Sequence, residues 1–400
     1  MTKCLIIGGG IAGPAAAMAL LRAGLESVVY EAYDDSAEGT GGFLTVAING
    51  LDALDALDLK ELVLAHGFGS PQMAMYLGSS GKKLVEFENG GVLPDGSVCQ
   101  TIMRPDLYRI LRDEAVSRGV SIVYGKRLLH ARETADGVIA EFEDGSVAEG
   151  DVLIGADGLK SRVRTIIDPK APDARVAPLL NTGGRVSGVP VGGPPGVMHM
   201  VFGKRCFYCY IKDPSDEIWW FANPLQRGSE SLASMSDEHV RAGLIDMVKG
   251  DKTPMAAIIR ATPTIMPPYA TYDLPSVPTW HTNRMIIIGD AAHAASPASG
   301  QGASMAFEDA LILGKCLRDH AIPAAAFRTY ETIRRERVEG VVAFGKKNGD
   351  PKLRGQFKRV FQDIVLRIAF GMQSRKKDSD PTGWIVRHHI DWDKSTSRPS

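Results

Sequence analysis

The spacing of apolar and polar positions changes several times along this 400-residue chain, and each change marks an element. An apolar run, Cys4-Leu5-Ile6-Ile7, stops at Gly8, and helical spacing resumes at Ile11, which predicts a strand feeding a helix through a glycine turn. A second short strand, Ser27-Val28-Val29-Tyr30, ends at Glu31, and the polar stretch from Asp34 to Gly42 predicts a loop. From about Ala47 to Ala65, Leu51, Leu54, Leu57, Leu59, Leu62 and Val63 make one apolar stripe and predict a helix. Between Met73 and Phe87 the period becomes two around Ser79-Ser80-Gly81, a hairpin. Helical spacing returns at Pro105, with Leu107, Ile110, Leu111 and Ala115 on one face. Strands are expected near Ser121–Tyr124, His130–Glu133 and Gly137–Phe142.

After Asp151 an apolar strand runs into Gly155-Ala156-Asp157-Gly158, and Ser161 opens a helix whose Arg162 and Arg164 read as solvated. From Ala177 to Asn223 strand follows strand with half-polar alternation, which predicts an antiparallel sheet with one covered face, inserted into the first domain. Helices are expected over about Ser236 to Arg260, and Pro263 to Pro278 reads as a proline-rich return. The strand Met285–Ile288 then ends at Gly289-Asp290, a glycine-rich loop follows, and a helix begins near Gly302. A long helix spans Ala324 to Phe344, a basic amphipathic helix lies around Phe357–Gly371, and a polar tail ends the chain. This predicts a discontinuous first domain over 1–70, 100–175 and 275–345, a second over 71–99 and 176–274, and a helix and tail over 346–400.

Composition narrows the function. An apolar fraction of 44% suits a globular protein with a large core. A net charge of −1 argues against nucleic acid as a partner, because phosphate binding needs surplus Lys and Arg. Five scattered cysteines read as reduced, which suggests the cytoplasm rather than a disulfide framework. Cys206 and Cys209 form a C-x-x-C inside a predicted strand, and without a second ligand pair no metal site is expected. No signal peptide is expected ahead of a strand that begins at residue 3, nor any membrane span.

The first turn carries chemistry. Gly8, Gly10 and Gly13 form G-x-G-x-x-G between strand and helix, where the glycines permit a sharp turn, close approach of a pyrophosphate, and close helix–strand packing. The helix start, with Ile11 and Ala12, offers N–H groups and a partial positive charge to phosphates. Glu31 stands 18 positions beyond Gly13, near the ~20 expected of a carboxylate that holds ribose hydroxyls.

Three landmarks together carry a resemblance: this turn, Ala156-Asp157-Gly158, and Gly289-Asp290-Ala291-Ala292-His293 followed by Pro297 and Gly300-Gln301-Gly302. Over residues 3 to 345 the chain resembles the single-component FAD-dependent aromatic hydroxylases, the para-hydroxybenzoate hydroxylase fold that includes the tetracycline-degrading monooxygenases. It sits nearest their short, salicylate-hydroxylase-like branch. The resemblance implies an α/β protein with a Rossmann-like FAD-binding domain, an inserted antiparallel-sheet substrate domain and a C-terminal helical segment.

It also assigns roles. Glu31 would hold the adenosine ribose, Arg104 the phosphate and ribityl region, and Asp290 the ribityl chain. Pro297 would lie against the isoalloxazine edge, while Gly300, Gln301, Gly302 and Ala303 present a helix N-terminus to the ring end that gains negative charge on reduction. Asp157 matches a position linking flavin and nicotinamide, or is a structural turn residue, and His293 braces its loop. FAD would be non-covalent, and with one dinucleotide fingerprint NADPH or NADH would bind only transiently. Glycines on two loops, Gly39, Gly41 and Gly42 with Gly300 and Gly302, would leave room for a mobile ring.

The implied reaction is reduction of FAD by NAD(P)H, addition of O2 at flavin C4a, and transfer of one oxygen from the hydroperoxide to a planar aromatic or polyketide-like substrate. The flavin carries that chemistry, and no catalytic side chain is assigned. Pocket candidates on the inserted sheet are Arg185, Met198, Met200, Phe207, Tyr208, Tyr210, Trp220, Phe221 and Asn223, of which alternation must turn about half away. A monomer or homodimer is expected. Two alternatives stay open: an FAD-dependent dehydrogenase or cyclase without net oxygenation, and a non-catalytic binding protein on the same fold.

Overall fold

Strand β1 (Lys3–Ile7), helix α1 (Ala12–Arg22) and β2 (Glu26–Tyr30) open the chain, as the apolar spacing requires. A computed structural model describes residues 2–34, 41–225, 236–274, 276–349 and 382–397. Next come β3 (Phe43–Val46), α2 (Ile48–Asp55), α3 (Lys60–His66), β4 (Phe68–Gly69) and the hairpin β5 (Gln72–Leu77) and β6 (Lys83–Glu88). β7 (Gln100–Met103) runs into α4 (Arg104–Ser117) and β8 (Ser121–Val123). A meander, β9 (Leu128–Glu133), β10 (Val138–Phe142) and β11 (Val147–Gly150), precedes β12 (Val152–Gly155) and α5 (Arg162–Ile167). Four strands follow, β13 (Arg175–Val186), β14 (Val197–Phe202), β15 (Phe207–Lys212) and β16 (Ile218–Asn223), then α6 (Asp237–Val248), α7 (Met255–Ala261) and β17 (Met266–Asp273). The chain returns through β18 (Met285–Ile287), α8 (Asp290–His293), a 3-10 turn at Pro297–Ser299, α9 (Gly302–Asp319), α10 (Pro323–Gly349) and α11 (Gly383–Val386).

A five-stranded parallel sheet in the order β18-β12-β1-β2-β8 holds the first domain together. Its strands β1 and β12 are covered on both faces, which is why they read as unbroken apolar runs. Ile7 pairs with Tyr30 and with Gly155, so the carboxyl ends of β1, β2 and β12 finish level. That edge is where open α/β sheets bind ligands. Small residues let α1 lie against α9: a Cβ on Gly314 would stand 3.0 Å from that of Ala19.

The second sheet has seven strands, ordered β17-β13-β16-β15-β14-β5-β6. It is mixed rather than purely antiparallel, because β5 and β14 pair in parallel. One face packs on α6 and α7 through Leu244, Val248, Ile258 and Ile259. The other faces a small sheet, β3-β7-β4, through Phe43, Phe68 and Met103.

Three expectations are corrected. The helix read over Ala47–Ala65 is two, because Asp58 adopts a left-handed conformation, φ 56°, that no helix continues through. The proline-rich return contains β17, with Pro267 and Pro268 on the sheet's outermost strand, where missing N–H groups cost least. The polar tail is anchored: Ile385, Val386, Ile390 and Trp392 are buried in the main core, and the Trp392 ring lies 5.3 Å from the Arg22 and 4.8 Å from the Arg318 guanidinium. The helix expected at Phe357–Gly371 and Gly39 lie outside the described residues. No helix among those described is long and apolar enough to cross a membrane.

Candidate active site

The glycine turn is built by close approach. Gly8 has φ 108°, and a Cβ there would lie 2.4 Å from the Ala156 carbonyl oxygen. A Cβ on Gly13 would lie 1.9 Å from the carbonyl oxygen of Gly8. At Gly10, by contrast, a Cβ would meet no protein atom within 4 Å. No side chain caps α1 and its first turn holds no acid, so the N–H groups that open the helix have no side-chain partner. Glu31 ties the turn to β2: its Oε2 accepts from the Gly9 N–H at 2.6 Å and its Oε1 from the Tyr33 N–H at 3.0 Å. Each oxygen keeps a second lone pair for a diol.

Asp290 follows Gly289, whose φ of 59° directs the chain out of β18. Its side chain reaches solvent although Gly289 and Ala291 are buried, and it accepts no hydrogen bond from the described residues. The surrounding protein desolvates this carboxyl and raises its pKa, against the pull of Arg104 and His293. Arg104, the first residue of α4, donates from Nε to the Tyr108 hydroxyl at 2.6 Å. Gly41, at φ 106°, brings its loop onto Arg104, where a Cβ would lie 3.2 Å from the arginine Cδ.

The third loop ends in a helix start. Ser296 caps the 3-10 turn that begins with Pro297, Gly300 adopts φ 64°, and Gly302 and Ala303 open α9, which no side chain caps. Gln301 is buried, and its Oε1 accepts from Asn49 Nδ2 on α2 at 3.0 Å. Behind it sits an ionic network. Asn49 also donates to Glu308 Oε1 at 2.7 Å, and Arg334 bridges Glu308 and Asp309 at 2.5 and 2.7 Å. Asp309 accepts from the Gly289 N–H at 2.8 Å and meets His293 Nε2 at 2.5 Å, so His293 braces the loop. Burial alone would raise the Glu308 and Asp309 pKa values, but Arg334 acts on both, joined by Arg337 at Glu308 and His293 at Asp309, and holds them below the usual range.

Around the second landmark one sequence reading gains its geometry and another changes. Asp157 accepts at Oδ1 from Ser161 Oγ at 2.5 Å and at Oδ2 from the Arg162 and Val163 N–H groups at 2.7 and 3.1 Å. Its carboxylate starts α5, which is the structural-turn role, and the lone pair left on Oδ1 keeps the flavin-linked reading open beside it. Arg164 is not solvated: it is buried and donates to the Ala291 and Leu159 carbonyls, bracing the Asp290 loop.

On the second sheet, register decides which candidates face the first domain. Met198 pairs with Ile211, Met200 with Cys209, Cys209 with Phe221, Phe207 with Asn223, and Arg185 with Trp219. These share the face toward Phe43, whose ring lies 6.0 Å from Trp219 and 5.7 Å from Phe221. Tyr208, Tyr210 and Trp220 point the other way, and their expected place in the pocket is corrected. Tyr208 meets Thr253 Oγ1 at 2.6 Å, Tyr210 stacks on His199, and Trp220 donates to Thr262 Oγ1 at 2.9 Å, all under the α6–α7 layer. Sequence reading missed Phe43, Trp219 and Asn49. Phe43 follows Gly41-Gly42 directly, and Glu308-Asp309 in an apolar helix signalled a buried network.

The residues fit FAD on three observations: the uncapped α1 start beside open space at Gly10, the unpartnered Asp290 carboxylate, and the uncapped start of α9. Among known proteins, the FAD binding domain family matches residues 1–345. The FAD-dependent urate hydroxylase of Klebsiella pneumoniae is 31% identical over 353 residues, covering 87% of this chain and 90% of that protein. The 3-hydroxybenzoate 6-hydroxylase of Klebsiella oxytoca is 27% identical, over 85% and 86%. The structure of Klebsiella pneumoniae HpxO complexed with FAD and uric acid superposes with a TM-score of 0.82 at 27% identity, over 93% and 94% of the two chains. With the glycine turn, the Asp290 loop and the start of α9 arranged on one sheet edge, the chain belongs to the FAD binding domain family and is an FAD-dependent monooxygenase of the flavoprotein hydroxylase class.

Proposed function

We propose that the chain hydroxylates a planar aromatic small molecule held between the start of α9 and the inner face of the seven-stranded sheet. The observation that carries this is Phe43: it stands on β3, which leads into the α2 residues that grip Gln301, and its ring meets Trp219 and Phe221. One side chain thus joins the cofactor loop to an aromatic wall.

FAD, when bound, supplies the redox and oxygen chemistry, with NAD(P)H as co-substrate. The protein's part is to bind, orient and exclude water. Gly8, Gly10, Ile11, Ala12 and Gly13 would take the pyrophosphate, Glu31 the adenosine ribose, and Arg104 and Asp290 the ribityl region. Gly302 and Ala303 would offer backbone N–H groups to developing negative charge, with Pro297, Gly300 and Gln301 shaping the berth. Met198, Met200, Phe221, Asn223 and Arg185 stand on the face that would line the substrate.

Sheet membership supports assigning 1–70, 100–175 and 275–345 to cofactor binding and 71–99 and 176–274 to substrate binding, since β5, β6 and β13–β17 share one sheet. Five buried cysteines suit a reducing, cytoplasmic setting. The test is consumption of NAD(P)H and O2 by the FAD-loaded protein with a panel of phenols. Substrate-dependent consumption with a hydroxylated product is expected, and reduction of FAD without product oxygenation would reject the reading.

A further inference from the structure

The wall that meets Phe43 is mostly apolar, and its arginine, Arg185, is paired with Glu217. Its apolar part comprises Met198, Met200, Ile211, Trp219 and Phe221, faced by Phe68 and Met103. Its polar groups are committed within the protein. Glu217 Oε2 accepts from Trp219 Nε1 at 2.8 Å and stands 3.6 Å from Arg185 Nη1, so the arginine is ion-paired where its guanidinium lies 5.9 Å from the Trp219 ring centroid. Asn223 Nδ2 donates to the Leu180 carbonyl at 3.1 Å and approaches Asn181 Oδ1 at 3.4 Å. Thr45 and Thr101 hydroxyls bond each other at 3.1 Å. Arg104, beside Met103, is held by Tyr108 and faces Asp290. Among the described residues, the cation on this face, Arg185, therefore already has its carboxylate, and Arg104 beside it is the one the cofactor's ribityl region would take.

An anion placed here would give up its hydration and gain no cation, a cost far above that of burying neutral ring surface. Methionine and aromatic side chains instead favour a polarisable, uncharged ring system. We infer that the substrate is an uncharged planar aromatic, in contrast to the urate and 3-hydroxybenzoate named for the similar hydroxylases. This rests on the reading of that face as the substrate wall.

The test uses the FAD-loaded full chain at neutral pH without NAD(P)H, reading ligand affinity by calorimetry and by perturbation of the flavin spectrum. Matched probes separate charge from shape: 2-naphthol against 6-hydroxy-2-naphthoate, and methyl 3-hydroxybenzoate against 3-hydroxybenzoate, with urate alongside. The neutral member of each pair is expected to bind at least about tenfold more tightly, and urate to leave the spectrum unchanged. Met200→Lys, which adds a cation at a half-buried wall position, should shift the preference about tenfold toward the anions while FAD content holds. Equal or tighter binding of the anions by the parent protein would overturn the inference while leaving the aromatic hydroxylase reading intact. If neither kind of ring binds and none raises NAD(P)H consumption, the substrate-wall reading falls, and this inference with it.

Discussion

Asn49 and Gln301, separated by 252 positions, meet through a 3.0 Å hydrogen bond from Nδ2 to Oε1. The same amide nitrogen donates to Glu308 at 2.7 Å, so one α2 side chain ties the loop before α9 to the ionic network behind it. Arg337 extends that network to the chain end: it binds Glu308 and donates to the Trp384 and Ile385 carbonyls at 2.8 and 2.7 Å.

Asn49→Leu keeps the volume and removes the donor. The expected result is FAD affinity reduced roughly tenfold, from the loss of ~1–2 kcal/mol of buried hydrogen bonding around Gln301, with a smaller fall in Tm. Flavin fluorescence titration and thermal unfolding measure the two. An unchanged FAD Kd would show that the Gln301 side chain does not set the berth.

Arg334→Met removes the cation that bridges the fully buried Glu308 and Asp309, leaving Arg337 at the first and His293 at the second. A loss of about 3–5 kcal/mol is expected in urea unfolding. Both carboxyls are held below their ordinary values of 4.5 and 3.8, so their contribution is present above those values and lost as pH falls through the folded ones. Parent stability should therefore decline on acidification below about pH 4.5, and the variant should decline less steeply.

Gly13→Ala and Gly10→Ala separate packing from ligand approach. A Cβ on Gly13 collides with the Gly8 carbonyl at 1.9 Å, whereas one on Gly10 meets nothing within 4 Å. The first should lose Tm and FAD together. The second should keep Tm within about 2 °C and lose FAD affinity alone. Normal FAD binding by Gly10→Ala would remove the pyrophosphate from that space.

Phe221 and Trp220 are neighbours on opposite faces. Trp220→Ala should cost about 3–5 kcal/mol of stability by opening the core under α6 and α7. Phe221→Ala should weaken binding of the aromatic probes several-fold at a smaller cost in stability, because its ring is only half-buried. Calorimetry with 2-naphthol and urea unfolding of both variants check the contrast.

Local spacing in the sequence by itself determined the strand–turn–helix units of the first domain. The reason is steric: Gly8 and Gly13 stand where any Cβ would strike backbone, and the apolar runs of β1 and β12 are those of strands covered on both faces. The Asp290 loop and the α9 start were legible from their turns, since Gly289 and Gly300 adopt φ values of 59° and 64° that favour glycine. Register was not legible. Which of Trp219 and Trp220 faces Phe43 depends on how β15 and β16 pair, and a slip of one residue exchanges the faces. Long-range partners were also hidden. Arg164 read as solvated until Ala291, 127 positions on, arrived above it. Only tertiary structure brings Asn49, Gln301, Glu308 and Arg334 together, because hydrogen bonds and ion pairs act across space and leave no period in the chain.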